Sequence, residues 1–125
     1  MNDFLKKRLD AAFYLADEIM NQGGRTTYAN YSAWRELISG INTYVIPVGE
    51  TKPNTAKALR NVVTTMKAVL PEIQNAKEKK KAVTASKLRN VQGTILAALR
   101  AKDAHAIRAA DAAANRMHRA LYGRN

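Results

Sequence analysis

NTAKALRNVVTTMKAVLPEI, residues 54–73, decides the fold. Leu59, Val62/Val63, Met66 and Val69/Leu70 recur at steps of three and four. That spacing lines up one face of an α-helix. Asn54 or Thr55 is the expected cap, after a polar loop that contains Lys52 and Pro53. Pro71 has no amide proton and crowds the turn before it, so the helix is expected to stop or kink there. Pro71 followed by Glu72 also suits the first turn of a next helix, with Ile73 still able to reach the core.

The same period extends in both directions. Leu5, Leu9, Ala12/Phe13, Ala16 and Ile19/Met20 predict a first helix over about residues 3–21, capped by Asn2 or Asp3 and ended by Gln22-Gly23-Gly24. Residues 25–49 hold half of the aromatics, Tyr28, Tyr31, Trp34 and Tyr44. A short helix capped by Thr26 or Thr27 and closed by Ser39-Gly40 is expected there, with Tyr28, Tyr31 and Trp34 on one side. The β-branched segment 41–48 would be a lone strand, which cannot satisfy its own backbone, so a short helix or an extended clasp is expected instead. Residues 77–81 contain no apolar side chain and read as an exposed helix end or inter-helix loop. Thr84 or Ser86 starts a helix with Leu88, Val91, Ile95 and Leu99 on one face, and Gly93 inside it either permits a close helix contact or is simply tolerated. Asp103 caps a last helix, in which Ile107, Ala110, Ala114, Met117 and Leu121 form a two-heptad seam. The expected fold is all-α: one domain over residues 1–125, a compact bundle of four to five helices, the last two an antiparallel alanine-rich hairpin.

The 125 residues contain no cysteine, which excludes disulfides, thiolate metal sites and cysteine nucleophiles. No apolar run approaches the roughly 20 residues that span a bilayer. The first residues lack the basic-then-apolar order of a signal peptide. These features predict a soluble, intracellular protein, cytoplasmic or associated with a virion.

Charge points to a partner. Residues 77–125 carry twelve Lys and Arg against three acids, a net +9 out of +11 for the chain. A helical region this basic is expected to meet a polyanion, with nucleic acid, DNA or RNA, as the leading class. The expected contact residues are Lys77, Lys79, Lys80, Lys81, Lys87 and Arg89, then Arg108, Asn115, Arg116 and Arg119 on one outer stripe of the last helix. Phosphate contact without base choice fits this charge and predicts steep salt dependence. Two readings of Tyr28, Tyr31, Trp34 and Tyr44 stand side by side: bases stack on them or a partner docks there, or the rings close one end of the core. A structural or adaptor role in a larger assembly, such as a homo-oligomer or a phage particle, fits the same composition. So does an inhibitor that docks on an acidic protein surface.

Catalysis has one candidate. Arg100-Ala-Lys-Asp-Ala-His105 resembles the arginine, four residues, histidine motif of HEPN ribonucleases among small helical-bundle toxins. The resemblance covers six residues, and Ala101 stands where that family usually has a polar side chain. It implies that His105 is the general acid/base and Arg100 holds the scissile phosphate, across a dimer. From the residues themselves the expectation is no enzyme, no cofactor and no metal. His105 and His118 are 13 positions apart with no acidic pair at ligand spacing, and Gly23-Gly24 lacks the Lys-Ser/Thr of a phosphate loop.

Overall fold

A computed structural model describes residues 3–45, 53–79 and 81–101. Among the described residues the fold is all-helical with four helices and no strand: α1 (Asp3–Asn21), α2 (Tyr28–Asn42), α3 (Pro53–Lys79) and α4 (residues 85–101). The seam helix over residues 103–121, and with it the alanine-rich hairpin, lies outside the described residues.

Pairs of contacts fix the directions. Arg8 on α1 meets Gly40 and Tyr44 at the end of α2. On α2, Tyr31 and Trp34 meet Gln74 and Met66, so α3 runs the other way. Thr65 on α3 lies 3.0 Å from Thr94 on α4. Gln92 on α4 reaches back to Phe13 and Asp17 on α1. Each helix is therefore antiparallel to the next, and α4 closes the ring against α1.

The core is the meeting line of the four apolar stripes. Leu9, Ile19, Trp34, Leu59, Met66, Leu88 and Ile95 are buried at its centre. Burying each such side chain stabilises the fold by about 1.5–3 kcal/mol before entropy is counted. Trp34 is wholly buried and its indole N–H donates to the carbonyl of Met66 at 2.9 Å, so the one polar atom of the ring is satisfied inside the core.

One end of the bundle is tied together by polar contacts. Gly23 and Gly24 both have positive φ, +69° and +81°, and Gly24 N–H donates to Ile19 carbonyl at 2.9 Å. This closes α1 with a Schellman-type turn. The carbonyl of Gly24 then accepts from Val83 N–H at 2.7 Å, just before α4. Thr26 hydroxyl donates to the carbonyl of Ile73 on α3 at 2.7 Å. Thr27 caps α2 in a reciprocal box with Asn30, at 3.1 and 3.0 Å.

Several sequence expectations need correction. Pro71 does not stop the helix or start a new one: α3 continues from Pro53 to Lys79. Pro71 lies in phase with Lys57, Arg60, Thr64 and Lys67 on the exposed stripe, so the missing hydrogen bond faces water and the helix can curve with that side outward. Pro53 is the first helical residue of α3, where its absent N–H is not needed, rather than part of the preceding loop. Ser39-Gly40 does not end α2, which runs on to Asn42. Gly40 has no positive φ; the space its missing side chain leaves is filled by Arg8. Ile41 is thus the last buried residue of a helix, residues 43–45 form a turn, and 46–48 lie outside the described residues. Gly93 is exposed, and among the described residues nothing lies within 4 Å of where its Cβ would stand, so it makes no close contact with α1, α2 or α3.

Candidate functional site

The aromatic residues do not share one face. At about 100° per residue, Trp34 stands some 120° around α2 from Tyr28. Trp34 is accordingly in the core, Tyr31 is half-buried, and Tyr28 is 71% exposed. Trp34 is thereby removed as a stacking or interface residue. Tyr44 is half-buried: Arg8 lies over its ring at 5.8 Å and donates from Nη1 to its hydroxyl at 3.2 Å.

Tyr28 and Tyr31 meet a cation from the far end of α3. Lys77 Nζ lies 4.9 Å from the Tyr28 ring centroid and 4.8 Å from that of Tyr31. Arg35, one turn along α2, lies over Tyr31 at 5.7 Å. Tyr31 hydroxyl donates to Gln74 Oε1 at 3.2 Å, and Gln74 Nε2 donates to Glu78 Oε1 at 3.3 Å. Each cation over a ring contributes about 0.5–1 kcal/mol at an exposed site. Lys77 also approaches Glu78 at 4.0 Å, the outer limit of an ion pair. Arg35 further borders a shallow, open concavity shared with Ser32, Glu36 and Ser39.

Lys87 makes a contact that its sequence position does not predict. Its Nζ lies 2.6 Å from Glu72 Oε2, while Glu72 Oε1 accepts from Thr84 N–H at 3.2 Å and Thr84 hydroxyl at 2.7 Å. Thr84 starts α4 as expected, its carbonyl accepting from Lys87 and Leu88, but its hydroxyl is used on α3 rather than on its own helix. Burial by itself would raise the Glu72 carboxyl pKa. Hydrogen bonds from Lys87 and Thr84, together with the Lys87 charge, outweigh it and hold the group below its ordinary 4.5. Lys87 thus ties α4 to α3 while its side chain stays 57% exposed.

Lys81, Arg89 and Arg100 are exposed, and no acid among the described residues pairs with them. Arg100 is near the far end of α4 from Lys81, so these cations do not form one compact patch. The side chains of Lys79 and Lys80 lie outside the described residues, as do Arg108, Asn115, Arg116 and Arg119. The same holds for His105, so the described part contains only the arginine of the ribonuclease-like pair. Among the described residues no three His, Cys, Asp or Glu side chains converge to hold a metal ion, and no helix is long and apolar enough to cross a membrane.

Sequence reading missed the partners in these contacts. Arg35 at four residues after Tyr31 is a legible cation–ring pair. Lys77 with Tyr28, and Glu72 with Thr84, come from tertiary packing and leave no local signal. The chain matches no family model, no curated protein and no solved structure.

Proposed function

We propose that this protein binds nucleic acid, without catalysing a reaction on it, mainly by contacting phosphates. The observation that carries this reading is unneutralised cation on the described surface: Lys81, just before α4, and Arg89 and Arg100 on it are exposed with no acid partner among the described residues, in a chain whose residues 77–125 hold +9 of its +11. Such cations keep their full attraction for a polyanion, and α4 presents Arg89 and Arg100 without the entropy cost of ordering a tail. Residues 108–119 would extend the basic surface if their outer stripe is displayed in the same way.

A salt titration tests the proposal. Binding to DNA and RNA of mixed sequence should weaken steeply between about 50 and about 300 mM salt. Engagement of about four phosphates on a duplex corresponds to a loss of roughly 600-fold over that range. Affinity that is absent, or flat with salt, refutes it.

An assembly role is the second reading, and one observation favours it. Phe4 and Tyr14 are each 68% exposed on the same outer stripe of α1, which leaves apolar surface for a neighbouring protein. A mass measurement run with the titration separates the two, since a protein that stays monomeric with and without partners has no such role.

A further inference from the structure

The contact between α2 and α3 indicates which form of nucleic acid the surface would select. We infer that Tyr28, backed by Lys77, is a stacking platform for an unpaired base, so that single strands bind in preference to duplex. This rests on the nucleic-acid reading above and refines it.

The geometry is specific to these residues. Lys77 Nζ sits between two rings, 4.9 Å from Tyr28 and 4.8 Å from Tyr31, and Arg35 lies over Tyr31 at 5.7 Å. Cations and rings therefore converge in one cluster that ends at Tyr28. Tyr28 is the one ring of the cluster that remains open, at 71% exposure, whereas the Lys77 side chain retains only 21%. Lys77 is therefore largely committed to holding the rings, and Tyr28 keeps most of its surface for a ligand. The backbone beneath it is fixed, because Thr27 caps the helix and Thr26 is bonded to α3. An aromatic ring on a rigid base, next to cations, matches an unpaired base with its adjoining phosphate. In a duplex the faces of the bases are already covered, so only the charge is used.

Glu78 opposes this. It lies 4.0 Å from Lys77 and is half-exposed, so its charge repels a phosphate arriving at the cluster. Removal of that charge should improve binding, an outcome that misfolding cannot mimic.

The test measures anisotropy of labelled oligo-dT, oligo-U and a mixed-sequence duplex at one salt concentration, with wild type, Tyr28→Ala, Tyr28→Phe and Glu78→Gln. Thermal melts confirm that each variant folds. Wild type should prefer a single strand, DNA or RNA. Tyr28→Ala should lose roughly 5- to 160-fold on single strands, the range of one base–aromatic stack, and little on duplex. Tyr28→Phe should retain the preference, and Glu78→Gln should bind single strands more tightly. If Tyr28→Ala binds single strands like wild type, or loses equally on both forms, the platform is refuted. If that happens while salt-dependent binding persists, only this inference falls. If wild type binds no nucleic acid at all, the broader proposal falls with it.

Discussion

Adjacent glycines in the α1–α2 turn allow a controlled measurement of packing at the tied end. Gly23 and Gly24 both have positive φ, +69° and +81°, so alanine at either position carries the left-handed backbone strain. That strain is about 1–2 kcal/mol, offset in part by roughly 0.4–1 kcal/mol from the stiffer unfolded chain. The surroundings differ. A Cβ on Gly23 meets nothing within 4 Å. A Cβ on Gly24 would stand 2.7 Å from Val83 carbonyl oxygen and 2.9 Å from Val83 nitrogen, both backbone atoms that cannot rotate away. Val83 must then move, and its 2.7 Å hydrogen bond to Gly24 carbonyl is lost or bent. Overpacking costs about 1–3 kcal/mol and the hydrogen bond about 1. Gly23→Ala should therefore destabilise by about 1 kcal/mol, and Gly24→Ala by about 3–5. Urea unfolding followed by the fluorescence of the buried Trp34 reads the difference. With a slope near 1.5 kcal/mol/M, the two midpoints should lie roughly 2 M apart. Equal midpoints would refute the argument that α4 approaches the turn this closely.

Two further predictions concern the interior and its edge. Trp34→Ala should cost about 3–5 kcal/mol in urea unfolding followed by far-ultraviolet circular dichroism, from the cavity left behind and the lost indole hydrogen bond to the Met66 carbonyl; a loss under about 1 kcal/mol would mean the indole is not in the core. The Glu72 carboxyl has a folded pKa below its ordinary 4.5, so its stabilising contribution is complete above pH 4.5 and lost as pH falls through the folded value. Wild type should lose its stability advantage over Glu72→Gln on acidification below pH 4.5, and an advantage that does not change with pH in that range would show that Glu72 is not ionised against Lys87.

The sequence carried the helices better than their ends. The α1 stripe and its terminal glycines were both local signals, and the helix follows them from Asp3 to Asn21. Pro71 was misleading only when taken as an isolated residue. Its phase with Thr64 and Lys67 already placed it on the polar side, where a lost hydrogen bond is cheap because water replaces it. Gly40 carried no comparable warning, since the residue that occupies its space, Arg8, is 32 positions away on another helix. The candidate site was legible as residue types and not as an arrangement. Charge alone selected Lys77 and Lys87, yet one supports two tyrosines and the other anchors α4. Which neighbour a lysine finds across 49 or 15 positions depends on how the helices pack, and no window of sequence contains that.

Gln92 gives the ring its closing contact, with 79 positions between it and Phe13. The contacts that join consecutive helices span 36, 32 and 29 positions, at Arg8–Tyr44, Trp34–Met66 and Thr65–Thr94. Loop-closure entropy grows only with the logarithm of separation, so the three hairpins start with nearly the same handicap, and the α1–α4 contact adds only about 0.7 kcal/mol to it. Connectivity therefore does not dictate an order of assembly. The chain can begin at either hairpin or at the middle one and reach the same ring, and the route taken is set by which pair of stripes buries apolar surface first.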